Sequence, residues 1–240
     1  MRSLENKVVL IAGAGRGIGK AVAREFAAQS ANLILTSRTL SELLSVKKEI
    51  SGLGNCRINE ITCDISKYNQ VQKMIEKALK LENKIDILVN SAGIADFKSI
   101  INTTEQEWDE MIAINLKGAF LLIKTILPSM LENGSGHIIN IVSNAGKHGY
   151  SNCGAYCASK FGLAGLTDVL RKEVRHKNIH VTAVYPGAVD TNLWNSIEGE
   201  WDRTLMIPTE SVARSVLDIC QNSQKVMIEE IVLMPVIGNL

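Results

Sequence analysis

Residues 8–26 read Val8-Val9-Leu10-Ile11-Ala12-Gly13-Ala14-Gly15-Arg16-Gly17-Ile18-Gly19-Lys20-Ala21-Val22-Ala23-Arg24-Glu25-Phe26. Four aliphatic residues in a row predict a buried strand, and Ile18, Val22 and Phe26 recur at helical period. Between them lies a glycine turn. In a strand-turn-helix of this kind the backbone approaches a pyrophosphate closely, and the first N–H groups of the helix point at the anion. The spacing Gly13-x-x-x-Gly17-x-Gly19 differs from the common Gly-x-Gly-x-x-Gly, and no Lys-Ser or Lys-Thr follows, which excludes a nucleoside-triphosphate loop. The expected ligand is a dinucleotide, the bland alternative being a glycine turn that binds nothing.

Outward from this segment the pattern repeats. Short runs rich in Val, Ile and Leu occupy 33–35, 85–89, 137–142, 181–184 and 231–233, and a thinner run lies at 57–61. The intervening stretches have helical period, for example Val71, Ile75, Ala78 and Leu79. Such alternation predicts βαβ units, a parallel sheet of about seven strands and helices on both faces. At 240 residues with 46% hydrophobic and 21% charged content, one α/β domain spanning 1–240 is the expectation. The longest irregular stretch, about 190–208, carries Leu193, Trp194, Trp201, Leu205 and Met206 and reads as an apolar lid.

The end of the second strand reads Thr36-Ser37-Arg38-Thr39, without the acidic residue that would bind the ribose hydroxyls of NAD. A guanidinium there can hold a 2′-phosphate through two parallel hydrogen bonds, and Arg16 offers a second cation. Either arginine is otherwise simply solvated. NADP(H) is therefore expected over NAD.

The net charge of +1, from 26 basic and 25 acidic residues without blocks, offers no footprint for nucleic acid or an anionic membrane. The N-terminal residues lack the pattern of a signal peptide, and no apolar run is expected to cross a membrane. Five cysteines, odd in number and without Cys-x-x-Cys, suggest neither a disulfide framework nor a zinc ribbon, so a reducing cytoplasm is expected. His176 and His180 lie four apart but where a helix passes into a strand, and no metal site is expected.

Tyr156-Cys157-Ala158-Ser159-Lys160, with Ser143 thirteen residues upstream, is the candidate reactive segment. On a helix over 153–175 the phenol and the ammonium share a face. A phenol has an ordinary pKa of about 10, and a fixed cation beside it favours the phenolate. Such a pair alone also falls by chance on exposed helices.

Taken together, the glycine turn, Asn90-Ser91-Ala92-Gly93, Asn115, Ser143, Tyr156-x-x-x-Lys160 and Pro186-Gly187 resemble the short-chain dehydrogenase/reductase family over nearly the whole chain, with a flavour of 3-oxoacyl-carrier-protein and bacterial carbonyl reductases. The resemblance implies a Rossmann-type, doubly wound α/β fold. It places Gly13, Gly15, Arg16, Gly17, Ile18 and Gly19 at the cofactor phosphates, Ser37 and Arg38 at the adenosine ribose, and Asp64 and Ile65 at the adenine. Asp64 has a plain alternative as cap of the helix near Lys67. Asn90, Ala92, Gly93, Pro186, Gly187, Val189 and Thr191 are implied around the nicotinamide ribose and amide. Ala12 and Ser91 depart from the family pattern, which usually has Thr and Asn there.

For the chemistry, the resemblance implies hydride transfer at a carbonyl or carbinol carbon. Tyr156 is the general acid, Ser143 a donor to the same oxygen, Lys160 the group that lowers the Tyr156 pKa and bonds the ribose, and Asn115 a member of the proton relay. A homodimer or homotetramer built through helices near 104–130 and 153–175 is also implied. Lys147 and His148 either attract an anionic substrate or are solvated. Two rivals stand beside NADP-linked carbonyl reduction: an NAD-dependent alcohol or sugar dehydrogenase, and a non-catalytic sensor of nicotinamide dinucleotide.

Overall fold

The computed structural model describes residues 3–197, 199–222 and 226–238. Seven parallel strands form one sheet in the order β3-β2-β1-β4-β5-β6-β7: β1 (Val8–Ala12), β2 (Asn32–Ser37), β3 (Ile58–Thr62), β4 (Ile87–Asn90), β5 (Gly136–Ile141), β6 (Ile179–Pro186) and β7 (Glu230–Leu233). The helices are α1 (Gly17–Ala28), α2 (Leu40–Ile50), α3 (Tyr68–Glu82), α4 (Glu105–Ile112), α5 (Ala119–Glu132), α6 (Gly154–Val174) and α7 (Thr209–Gln221). This is the doubly wound Rossmann-type α/β architecture.

Strand side chains alternate between two cores. Val9, Ile11, Leu33 and Leu35 pack with Val22 and Phe26 of α1 and Val212 and Val216 of α7. Val8, Leu10, Ile34 and Leu88 face the other way, against Val71 and Ile75 of α3, Leu122 and Ile126 of α5 and Leu170 of α6. Because both faces are covered, the inner strands are continuous apolar runs. The edge strand β3 has one neighbour only, which explains why Ile58-Asn59-Glu60-Ile61-Thr62 looked thin.

The order reverses between β1 and β4, opening a crevice at their carboxyl ends, where ligands bind in open sheets. The chain turns sharply there: Gly13 and Ala14 N–H both donate to the Thr36 carbonyl, at 2.9 and 3.1 Å. The helix predicted near 104–130 runs from Glu105 to Glu132, broken by a π-helical turn, Ala113–Gly118, between α4 and α5. Contrary to the sequence expectation, this 28-residue stretch is long and apolar enough to cross a membrane, but half of its most apolar window is buried inside the protein, as in a core helix.

Candidate active site

The glycines of the turn are required by space. A Cβ on Gly19 would lie 2.2 Å from the Gly13 carbonyl oxygen, and one on Gly13 would lie 2.8 Å from the Ala92 backbone. Gly17 has φ of +54°, and its open side faces Thr191, whose side chain would be 3.3 Å from a Cβ. No side chain caps the start of α1 at Arg16, and the first turn holds no acidic residue. Its first N–H groups are therefore left for an anion.

This turn is one end of a cleft of about 810 Å³. Its wall includes Gly13, Gly15, Arg16, Gly17, Ile18, Ser37, Arg38, Asp64, Ile65, Ala92, Gly93, Ser143, Tyr156, Lys160, Pro186, Gly187, Val189 and Thr191, so most of the sequence-predicted residues come together. Gly19, Asn90 and Asn115 stand behind the wall. Asn90 is buried beside Asn140, to which its amide donates at 3.4 Å. Asp64 lies at the Arg38 end and does not cap α3: Ser66 N–H and Ser66 Oγ donate to its Oδ1, at 3.0 and 2.7 Å. Burial opposes its charge, but these bonds, with Arg38 and Lys67, hold its pKa below the usual carboxylate value. Thr36 Oγ1, at the same place, is buried without a hydrogen-bond partner among the described residues. The shape, the bare helix start and these polar groups fit a nicotinamide dinucleotide.

One residue that the sequence reading passed over sits at the same end. Glu42, in the first turn of α2, reaches back so that a Cβ on Gly15 would be 2.6 Å from its carboxylate and 3.2 Å from Ser37 Oγ. The end of β2, which carries no acidic residue of its own, has one beside it, supplied from the next helix. Arg16 and Arg38 line it too, are exposed, and join none of the ion pairs found among the described residues.

At the other end Ser143 follows β5 and Tyr156 and Lys160 lie on α6, which brings the three together. Ser143 has φ of 149° and ψ of 157°, a region sparsely populated except by glycine. Its Oγ accepts the Ala145 N–H at 3.1 Å and shares a hydrogen bond with Tyr156. Lys160 Nζ lies 5.7 Å from the Tyr156 ring centre and donates to the Ile141 carbonyl at 3.2 Å. The electrostatics differ from expectation. Burial pushes the Tyr156 phenol up to about 12, opposed by the Ser143 bond, and no lowering comes from Lys160. Burial also brings Lys160 down to about 8. Burial thus moves both groups towards neutrality.

Asn115 sits in the π-helical turn, a frequent feature of functional sites. Its Oδ1 accepts the Ile94 N–H at 2.8 Å, and its Nδ2 donates to the Ile94 carbonyl at 2.9 Å and to Ser159 Oγ at 3.0 Å. The side chain thus clamps the loop after β4 to α6. A Cβ on Gly93 would approach Asn115 Oδ1 to 3.3 Å and Lys160 Nζ to 3.7 Å.

Over this end lie Phe97, Tyr150, Leu193, Trp194 and Trp201. The tryptophans were visible in the 190–208 segment, but Phe97 and Tyr150 were not anticipated. Lys147 is drawn away, its ammonium 2.5 Å from Glu230 and 4.2 Å from the Tyr185 ring centre. No group of three or more metal-binding side chains occurs among the described residues.

The geometry has counterparts among known proteins. The family model for short chain dehydrogenase matches residues 7–201. The chain is 35% identical over 240 residues to sepiapterin reductase of Chlorobaculum tepidum, covering 97% of this chain and 98% of that one. It is 36% identical over 188 residues to the 3-oxoacyl-acyl-carrier-protein reductase of Thermotoga maritima, covering 78% and 76%. A metagenomic short-chain oxidoreductase solved in complex with NADP superposes with a TM-score of 0.86 at 32% identity, over 97% and 98% of the two chains.

Proposed function

Because the chain belongs to the short-chain dehydrogenase family and is an oxidoreductase of it, we propose that it reduces a ketone to a secondary alcohol with NADP(H). The observation that carries this reading is the Ser143–Tyr156 hydrogen bond, with Lys160 beside it, in the cleft that begins at the glycine turn. A bound nicotinamide supplies the hydride.

The protein's own part is the proton and the field. With a pKa near 12, Tyr156 is protonated throughout the neutral range yet is a far stronger acid than the alcohol being formed. It gives its proton to the carbonyl oxygen as negative charge develops there. Ser143 Oγ accepts from Ala145, so its own proton is available to the same oxygen. Lys160 stabilises the transient phenolate, an interaction that strengthens as ligands exclude water. Asn115 holds the Ile94 loop and α6 in register around the reacting groups.

NADP(H) is supported by Arg16 and Arg38, two cations in the wall without ion-pair partners among the described residues, and by the relative solved with NADP. A second reading, NAD(H), is favoured by the Glu42 carboxylate against Gly15 and Ser37. The reading extends to a small carbonyl or alcohol partner, no nucleic acid or membrane, a cytoplasmic location and a homodimer or homotetramer. Exposed Trp108, Phe120, Phe161 and Val169 on α4, α5 and α6 support pairing between copies.

Tyr156→Phe tests the reading. Turnover of a carbonyl panel should fall by about 10² to 10⁴-fold, while NADPH still quenches tryptophan fluorescence with unchanged affinity. Full turnover in the variant would overturn the assignment.

A further inference from the structure

The loop between β6 and α7 leaves the sheet and returns to it at one place. Asp190 N–H donates to the Ile207 carbonyl and Ile207 N–H to the Ala188 carbonyl, both at 2.9 Å, so its two ends are pinned side by side. Both arms reach the cleft. The outgoing arm brings Thr191, whose side chain lies on the open side of Gly17 in the glycine turn, and then Leu193 and Trp194. The returning arm brings Trp201. The two indoles meet with ring centres 4.7 Å apart, and Phe97 lies 5.9 Å from Trp194 and 5.9 Å from Tyr156. One loop therefore borders the glycine turn and, through Phe97, the reacting end.

A single side chain ties the arms together above this base. Arg203, two residues after Trp201, reaches back to the outgoing arm and divides its fork among three residues there. Nε donates to Asp190 Oδ1 at 2.6 Å, Nη2 to the Thr191 carbonyl at 2.7 Å and Nη1 to Asn195 Oδ1 at 3.1 Å. A planar guanidinium meets three acceptors at fixed angles, which an ammonium on a flexible stem does not reproduce. Arg203 itself stands outside the cleft wall.

We propose that Arg203 is a positioning residue: its guanidinium latches the two arms, and so fixes Thr191 against the glycine turn and Trp194 and Trp201 over the reacting end. The inference rests on the reading of this cleft as the site of a nicotinamide dinucleotide and a ketone, and it adds the group that keeps the site in its binding arrangement. Where a binding-competent arrangement is only partly populated, apparent affinity falls by that fraction. Loosening the latch therefore weakens ligands without touching Ser143, Tyr156 or Lys160.

Arg203→Met and Arg203→Lys test it. The first removes fork and charge, while the second keeps the charge on a stem without the fork. The Arg203 and Asp190 side chains are 34% and 48% exposed, and such pairs contribute little to global stability, so melting temperatures should hardly move. The affinity for NADPH, read by fluorescence titration, should fall about five- to tenfold in Arg203→Met, with Arg203→Lys recovering only part of the loss. On the carbonyl panel kcat/KM should fall through KM, with kcat within about twofold, because the reacting groups stand at the end of β5 and on α6. Acrylamide quenching of tryptophan fluorescence reads the latch in the free protein. Trp194 and Trp201 should become more accessible in Arg203→Met, Trp108 on α4 being common to both proteins. Unchanged quenching, unchanged NADPH affinity, full wild-type affinity in Arg203→Lys or a loss confined to kcat each overturns the proposal. If quenching rises but the wild type neither binds NADPH nor reduces any member of the panel, the latch stands and the reading of the cleft falls.

Discussion

Asn115 Nδ2 donates a 3.0 Å hydrogen bond to Ser159 Oγ, and that hydroxyl gives its own proton to the Tyr156 carbonyl at 2.7 Å. The π-helical turn is thereby tied to the turn of α6 that carries Tyr156. Both side chains are buried, so losing one leaves the other's polar atom unsatisfied. Ser159→Ala should cost about 1–2 kcal/mol and Asn115→Ala, which breaks three bonds, about 3 kcal/mol or more. The double variant should be less damaged than the two losses added, by about 1 kcal/mol. Urea denaturation of the four proteins measures this. Strict additivity would mean that the pair is not coupled.

Ser143 combines a hydroxyl proposed to bond the substrate oxygen with a backbone conformation that suits glycine. Removing the hydroxyl as Ala or as Gly should lower turnover alike, by about 10²-fold as for other oxyanion donors. The two differ in the backbone. Ser143→Gly should be more stable than Ser143→Ala by about 1–3 kcal/mol, since only glycine is relaxed at φ of 149°. Thermal melts that rank Ala above Gly would show that the strain is absent in solution.

The sheet and the meeting of Ser143, Tyr156 and Lys160 in one cleft were legible because their signals are local. A strand buried on both faces must be a continuous apolar run, as at Val8–Ala12, and a glycine turn before a helix announces itself at fixed spacing. Tyr156 and Lys160 are one helical turn apart, so sequence spacing already places them together. Glu42, Phe97 and Tyr150 were not legible, since each reaches the cleft from an element whose direction only the fold determines. Glu42 looks like an ordinary first-turn acid of α2. The electrostatics were misread for the same reason: spacing says that Lys160 is near Tyr156, but not that burial dominates both.

Arg38 and Glu42 make opposite demands on the cofactor. Arg38→Gln should weaken NADPH binding by about tenfold or more through loss of a charge-assisted phosphate bond, leaving NADH nearly unchanged. Glu42→Gln should tighten NADPH by roughly three- to tenfold at low salt, with less effect at high salt. Fluorescence titrations of both cofactors at two salt concentrations separate the effects. NADH binding that collapses in Glu42→Gln while NADPH is unmoved would favour the NAD reading instead.

Lys160 makes the cofactor-free protein less stable than it need be. Its pKa is lowered from 10.5 to about 8 by burial, so between these values the folded chain holds fewer protons than the unfolded one, and stability rises with pH across that window. Below pH 8 the full penalty of the buried charge is present. Lys160→Met removes it at the expense of the bond to the Ile141 carbonyl, for a net gain of roughly 1–3 kcal/mol at pH 7 in a protein that has lost turnover. The advantage should shrink by pH 10, where wild-type Lys160 is neutral when folded. Tyr156, raised from 10 to about 12, weakens stability only above pH 10 and so does not obscure the comparison. Denaturant titrations at pH 7 and pH 10 without cofactor measure the difference. A variant less stable than wild type at pH 7, or an advantage that grows with pH, would mean that the ammonium is compensated in the free protein and that its charge is stabilising before any ligand arrives.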